Sequence, residues 1–246
     1  MMERVFKFMS GPGRVCVYVW VSSSLIGDND SYDIAIQDLE RAEFYWGVKF
    51  DIKFRTLHEN SEENTFRNED MLRPAGRNLP IEGSKLSRLC YGSRVIYPCW
   101  DDPMTSDDIR RTWHVFYLNI TEAGGTIGQR CILPEGQHCV KGRTIHYLSC
   151  IFTFMAIRED SDNPLNIYNT LAHEFGHALF MSNNRLKGRD PTAPDCNSTE
   201  QCDLTHSPDI RNLMYYTVFD GEDRKLVQEQ LDAKEYSFLT NHHMLH

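Results

Sequence analysis

Leu171-Ala172-His173-Glu174-Phe175-Gly176-His177-Ala178-Leu179 is the stretch on which the reading of this chain turns. Two imidazoles stand four residues apart among apolar side chains, with a carboxylate beside the first. On a helix, positions i and i+4 share a face, so both imidazoles can reach one ion. The carboxylate of Glu174 then projects toward the open side of that ion. There it can take a proton from water that the metal has acidified and return it to a leaving amine. H-E-x-x-H fixes only three positions and also recurs by chance, so its setting matters. Asn163-Pro164 offers a cap and a first-turn proline, which predicts a helix from there to about Met181, behind a β-prone run. Three ionisable groups in so apolar a helix are costly to bury, and a metal offsets that cost.

Outward from this helix the pattern alternates. Val15 to Val21 is an apolar run of seven β-branched, aromatic and Cys residues and predicts a buried strand. Ser31 to Trp46 places Ile34, Ile36, Leu39, Ala42, Phe44 and Tyr45 at mostly helical spacing, with Gly47 as a stop. Val48 to Phe54 alternates apolar residues against Lys49, Asp51 and Lys53, a half-buried strand. Strand, helix, strand predicts a parallel pair with a crossover helix. Residues 57–110 are polar and turn-rich and read as an insertion loop, with Arg94 to Tyr97 its one strand-like piece. Trp113 to Ile120 predicts a further strand, Glu122 to Gly128 is rich in glycine, and Thr144 to Ile157 is a long β-prone run. Residues 182–213 read as a long loop. A last helix is predicted to start at Asp220 to Asp223 and to carry Leu226, Val227, Leu231 and Ala233 to about Phe238.

A second motif, Asn212-Leu213-Met214-Tyr215-Tyr216, lies between that loop and the last helix. Together LAHEFGHAL and NLMYY resemble the zinc helix and Met-turn of the metzincin class of zinc metallopeptidases. Residue-level likeness is confined to 171–179 and 212–216; the order of elements agrees from Val15 to Phe238. The resemblance implies an α/β (α+β) fold, a metzincin-like zincin catalytic domain. Its parts would be a twisted mixed sheet with a strand-helix-strand opening, a zinc-binding active-site helix, a Met-turn and a C-terminal helix. It implies a single catalytic domain over 1–246, with a sheet subdomain to about 181 and a smaller one over 182–246. The implied activity is zinc-dependent endopeptidase chemistry on a polypeptide bound in extended form, with Zn2+ held by His173 and His177 and Glu174 as general base and acid. Met214 would pack beneath the metal. Tyr216 matches the tyrosine that some families place near the zinc, where it can stabilise an oxyanion; a packed aromatic after a turn is the plain alternative. Peptide bound as an added strand along a sheet edge would pass Glu122 to Ile132.

The chain departs from the class at two positions. The class pattern continues to a Gly and a third ligand, where this chain has Phe180 and Asn183. Phe does not readily take a left-handed turn, so the helix is expected to run on to Met181 or Ser182. Asn is a weak neutral ligand for zinc. His206 is the expected third ligand: imidazole binds zinc well, and the chain carries it back toward the Met-turn. Asp195, Asp190 and Asn183 remain alternatives, and a two-histidine site is another. The losses at Phe180 and Asn183 keep open a catalytically impaired binding protein. A zinc amidase acting on cell-wall peptides is a further alternative.

Composition limits the remaining choices. The chain has 246 residues with 26 Lys and Arg against 35 Asp and Glu, a net charge of −9. That balance, without a basic cluster, excludes a nucleic-acid binder as the leading class. Hydrophobic residues at 41% suit a packed core, and no apolar run approaches the ~20 residues of a membrane helix. Eight cysteines include three pairs close in sequence, 90/99, 131/139 and 196/202, which predict disulfide-closed loops. With the sequons at Asn29, Asn119 and Asn197 they favour a secreted or otherwise extracytoplasmic protein, an exported protease or a toxin or effector, although no signal peptide is visible at Met1 to Ser10.

Overall fold

The computed structural model describes residues 13–23, 30–57, 90, 112–119, 141–147, 150–157, 169–194, 203–215 and 224–240. They build a mixed α/β arrangement. Strand β1 (Gly13–Ser22) is followed by helix α1 (Asp30–Trp46) and strand β2 (Val48–Leu57). Strands β3 (Thr112–Asn119), β4 (Lys141–Tyr147) and β5 (Cys150–Ile157) come next. Helix α2 (Thr170–Met181) and the short helix α3 (Gln228–Asp232) follow, the latter running into a tighter 3-10 turn over Ala233–Tyr236.

The sheet order is β2-β1-β3-β5-β4. β1 pairs in parallel with β2 and β3, and β3 pairs in parallel with β5. The strand-helix-strand opening therefore forms as its hydrophobic pattern predicts, and Gly47, at φ +59, makes the reversal that ends α1. The expected single β run over 144–157 is instead two antiparallel strands, with Tyr147 opposite Cys150. A tight reversal suits two β-prone pieces that are each short.

Both faces of the sheet are covered, as a parallel sheet requires. On one face Val15, Val17, Val19 and Val21 of β1 and Trp113, Val115 and Tyr117 of β3 pack against α1 and α2 in one buried cluster. On the other, aromatic rings form a row: His114 stacks between Tyr18 at 5.8 Å and Phe152 at 5.2 Å, and Phe116 stacks on Phe154 at 5.3 Å. Burial pushes His114 down to about 3, so it sits there as a neutral ring. α1 is tied to the sheet by a buried pair, Tyr117 Oη donating to Asp38 Oδ2 at 2.8 Å. Burial raises Asp38 to about 7, against the opposing pull of that hydrogen bond.

Both later helices start downstream of their expected positions. α2 opens at Thr170 after Asn169, whose side chain accepts from Arg41 Nε at 3.2 Å, so Asn163-Pro164 is not its start. α3 begins at Gln228; Leu226 and Val227 are outside it, because Lys225 pairs with Asn212 and Val227 is extended. The Gln230 side chain receives the Val227 amide at 3.1 Å and makes that point the start.

The cysteines also depart from the local-loop expectation. Cys16, inside β1, is disulfide-bonded. Cys90 and Cys150 are buried thiols, so Cys90 does not close a loop with Cys99. Burial and then the nearby Cys150 raise Cys90 above the usual thiol range. The pairs 131/139 and 196/202, the sequons at 29 and 197, and the stretches 57–110 (Leu57 and Cys90 apart) and 122–132 lie outside the described residues. Asn119 closes β3. Among the described residues no helix is long and apolar enough to cross a membrane.

Candidate metal centre

α2 is buried from Thr170 to Phe180. Its apolar residues hold it against the sheet and α1. Phe175 meets Trp113 at 4.8 Å, Phe50 at 5.0 Å and Trp46 at 6.2 Å between ring centres. Trp46 also donates its indole N–H to the Ala172 carbonyl at 2.7 Å. With one side of the helix anchored in this way, His173 and His177 emerge together on another, as their spacing requires.

The third imidazole is His206. His177 Nε2 lies 3.1 Å from His173 Nε2 and 3.2 Å from His206 Nε2. Two of the three rings have their tautomer set from behind. His173 Nδ1 faces the Leu213 carbonyl at 2.8 Å, and His206 Nδ1 faces Asp203 Oδ2 at 2.6 Å. Each acceptor takes the Nδ1 proton, which leaves Nε2 bare and turned inward. Burial lowers His173 to about 4 and His177 well below the usual imidazole range, so both are neutral at physiological pH. Ring nitrogens gathered this closely can share a cation between them. Tetrahedral zinc with Zn–N near 2.05 Å separates its nitrogen ligands by about 3.3 Å, close to the two spacings that His177 Nε2 makes. His173, His177 and His206, with ligand atoms all within 4.8 Å of one another, can therefore hold a metal ion.

The loop that delivers His206 is organised by the NLMYY stretch. Ser207 N donates to the Met214 carbonyl at 2.8 Å, and Ser207 bridges to Tyr215. Asn212 folds its side chain back onto the Met214 amide at 2.8 Å. Gln230 joins Asn212 to Asp190, donating to Asp190 Oδ2 at 2.8 Å and accepting from Asn212 Nδ2 at 2.9 Å. Met214 is fully buried against Gly176, so Gly176 is required by close approach. A Cβ there would lie 2.6 Å from Trp46 Cζ2 and closer still to Met214 Sδ.

Two of the other ligand candidates, Asp190 and Asn183, are occupied elsewhere. Asp190 is buried among Thr192 and Gln230, with Thr192 N and Oγ1 each 2.7 Å from its Oδ1. Asn183 donates to the Ala233 carbonyl at 2.9 Å and accepts from the Arg185 amide at 2.9 Å. Asp195 and Tyr216 lie outside the described residues. Phe180 does continue the helix, and the left-handed turn comes later, at Lys187 (φ 51) and Gly188 (φ 85), where the Gly188 amide returns to the Phe180 carbonyl at 2.9 Å.

Glu174, next to His173 in the chain, is buried and receives the Thr144 hydroxyl at 2.7 Å on Oε2. Neither Thr144 nor the orienting role of Asp203 was marked by the sequence motifs. Asp203, three residues before His206, carried a local signal, an Asp-x-Thr turn in which Thr205 N meets Asp203 Oδ1 at 2.9 Å. Compared with models of known protein families the chain matches none, and a search of curated proteins finds no match.

Proposed function

We propose that the protein is a zinc endopeptidase of metzincin-like design. The observation that carries this reading is the convergence of His173, His177 and His206, with the buried Glu174 next to His173 in the chain. A metal held only for structure has no use for that carboxylate. Zinc at such a centre supplies Lewis acidity toward a carbonyl and toward water. The chain's own residues do the rest. Asp203 and the Leu213 carbonyl hold the ligand rings, and Glu174 accepts a proton and delivers it to the departing amine. The packing of Met214 beneath α2 agrees with the part its class resemblance assigns it. β4 is the outer strand of the described sheet, and an extended polypeptide can add along such an edge. The Cys16 disulfide suits an oxidising, extracytoplasmic setting.

The test is zinc analysis together with cleavage of a casein and peptide-library panel. Wild type should hold one zinc and cleave. Glu174→Gln should keep the zinc and lose at least about 100-fold in kcat, as general acid–base catalysis contributes ~10²–10⁴-fold. His206→Ala should lose the zinc. Full activity in Glu174→Gln would refute the mechanism.

A further inference from the structure

A row of polar groups crosses the sheet under Glu174. Trp113 Nε1 donates to Thr153 Oγ1 at 2.9 Å. Thr153 and Thr144 stand directly opposite each other on β5 and β4, their hydroxyl oxygens 2.8 Å apart. Thr144 then reaches Glu174 Oε2 at 2.7 Å, with the Glu174 carbonyl 3.1 Å away. All four side chains are buried.

The direction of this chain follows from its two ends. An indole N–H can only donate, and at the other end the Thr144 hydroxyl donates to Glu174 Oε2. Trp113 therefore fills an acceptor site on Thr153, whose own proton is left for Thr144, and the Thr144 proton is left for Glu174. Each threonine occupies an inward position where valine would have the same shape and β preference. On β5 the neighbouring inward residues are Ile151 and Met155. A buried hydroxyl in such surroundings is costly unless it is bonded, and here the bonds lead to one carboxylate oxygen.

We infer that Thr144, backed by Thr153 and Trp113, is a positioning residue that fixes the rotamer of Glu174 against the sheet and so aims its carboxylate into the histidine centre. The inference rests on the peptidase reading of that centre. Its experiment combines Thr144→Val, Thr144→Ser and Glu174→Gln. In the metal-free protein, denaturant unfolding of Thr144→Val, Glu174→Gln and the double variant forms a double-mutant cycle. The two changes should be non-additive, because Thr144→Val removes the donor while Glu174→Gln, which still accepts, removes the charge that strengthens the bond. In the zinc-loaded protein Thr144→Val should keep full zinc content and an unchanged KM, with kcat lower by about 10–100-fold, the range typical of groups that orient an active-site residue. Thr144→Ser, which keeps the hydroxyl, should recover most of that loss.

Additive unfolding effects, or an unchanged kcat in Thr144→Val, overturn the inference while the peptidase reading stands. If zinc-loaded wild type does not cleave, that reading fails and takes the catalytic part of the inference with it; the cycle still decides the bond. Should Thr144→Val not fold, Thr153→Val interrupts the same chain one link away and is read in the same way, an unchanged kcat again overturning the inference.

Discussion

At His206 the two ring nitrogens have different tasks, Nδ1 facing Asp203 at 2.6 Å and Nε2 facing His177 at 3.2 Å. Asp203→Asn keeps a hydrogen-bond acceptor but removes the charge behind the ring. It should weaken zinc affinity by about 10–100-fold without changing stoichiometry at saturation, measured by competition with a chelator. Asp38 sets a different kind of dependence. Its carboxyl rises from 3.8 to about 7 on folding, chiefly through burial. Between those values the unfolded chain has released a proton that the folded protein keeps, so this group's contribution to stability falls as pH rises from about 4 to about 7. At 1.36 kcal/mol per pH unit the loss is at most about 4 kcal/mol. Asp38→Asn removes the titration, so its stability relative to wild type should climb across that window in urea melts at stepped pH. His173, Glu174 and His177 were legible because one helix turn relates them, and His206 because its imidazole suits zinc and lies close before Met214. Thr144 was not legible, since its partner is 30 residues away along the chain and only the sheet brings them together.

The elements themselves were read best where one period dominated. α1 and β2 announce their faces by helical spacing and alternation, β1 by a continuous β-branched and aromatic run, and the ends of these elements and of β3 fall within a few residues of expectation. α2 and α3 were read too long toward their N-termini: α2 opens only at Thr170, and the extended Val227, whose amide bonds the Gln230 side chain, holds the start of α3 to Gln228. The β4–β5 hairpin was hidden in one continuous β-prone run. α2 also carries a fit that no helical period shows, the bare face of Gly176 against Met214 and Trp46. Ala is the better helix former by up to ~1 kcal/mol, yet Gly176→Ala should be destabilising overall. Overpacking of this kind costs about 1–3 kcal/mol, and the indole has no room to retreat. Thermal unfolding of the metal-free variant isolates the effect from metal binding.

For the whole molecule, the centre joins α2 to a segment that the sheet does not hold. Its ligands come from both sides of the Lys187–Gly188 turn, whereas the core cluster is built mainly from strands and helices. Chelation should therefore lower the melting temperature but leave the far-ultraviolet signal of the native fold. With free zinc at 100 times Kd the metal adds about 2.7 kcal/mol, or about 5–10 °C for a chain of this size. Calorimetry with and without chelator reads the shift, and added zinc should reverse it. No shift would mean that no ion is held.

Trp46 and Trp113 grip Phe175 from two directions, each with its indole N–H committed to a fixed oxygen, of Ala172 and of Thr153. The seat of the histidine helix is thus also an optical centre. Two immobile indoles in an asymmetric aromatic nest give near-ultraviolet circular dichroism that depends on their mutual geometry. A state that kept its helices and lost this signal would have its secondary structure and no working centre. The aromatic bands of the spectrum therefore register the integrity of the histidine helix's seat without any added ligand.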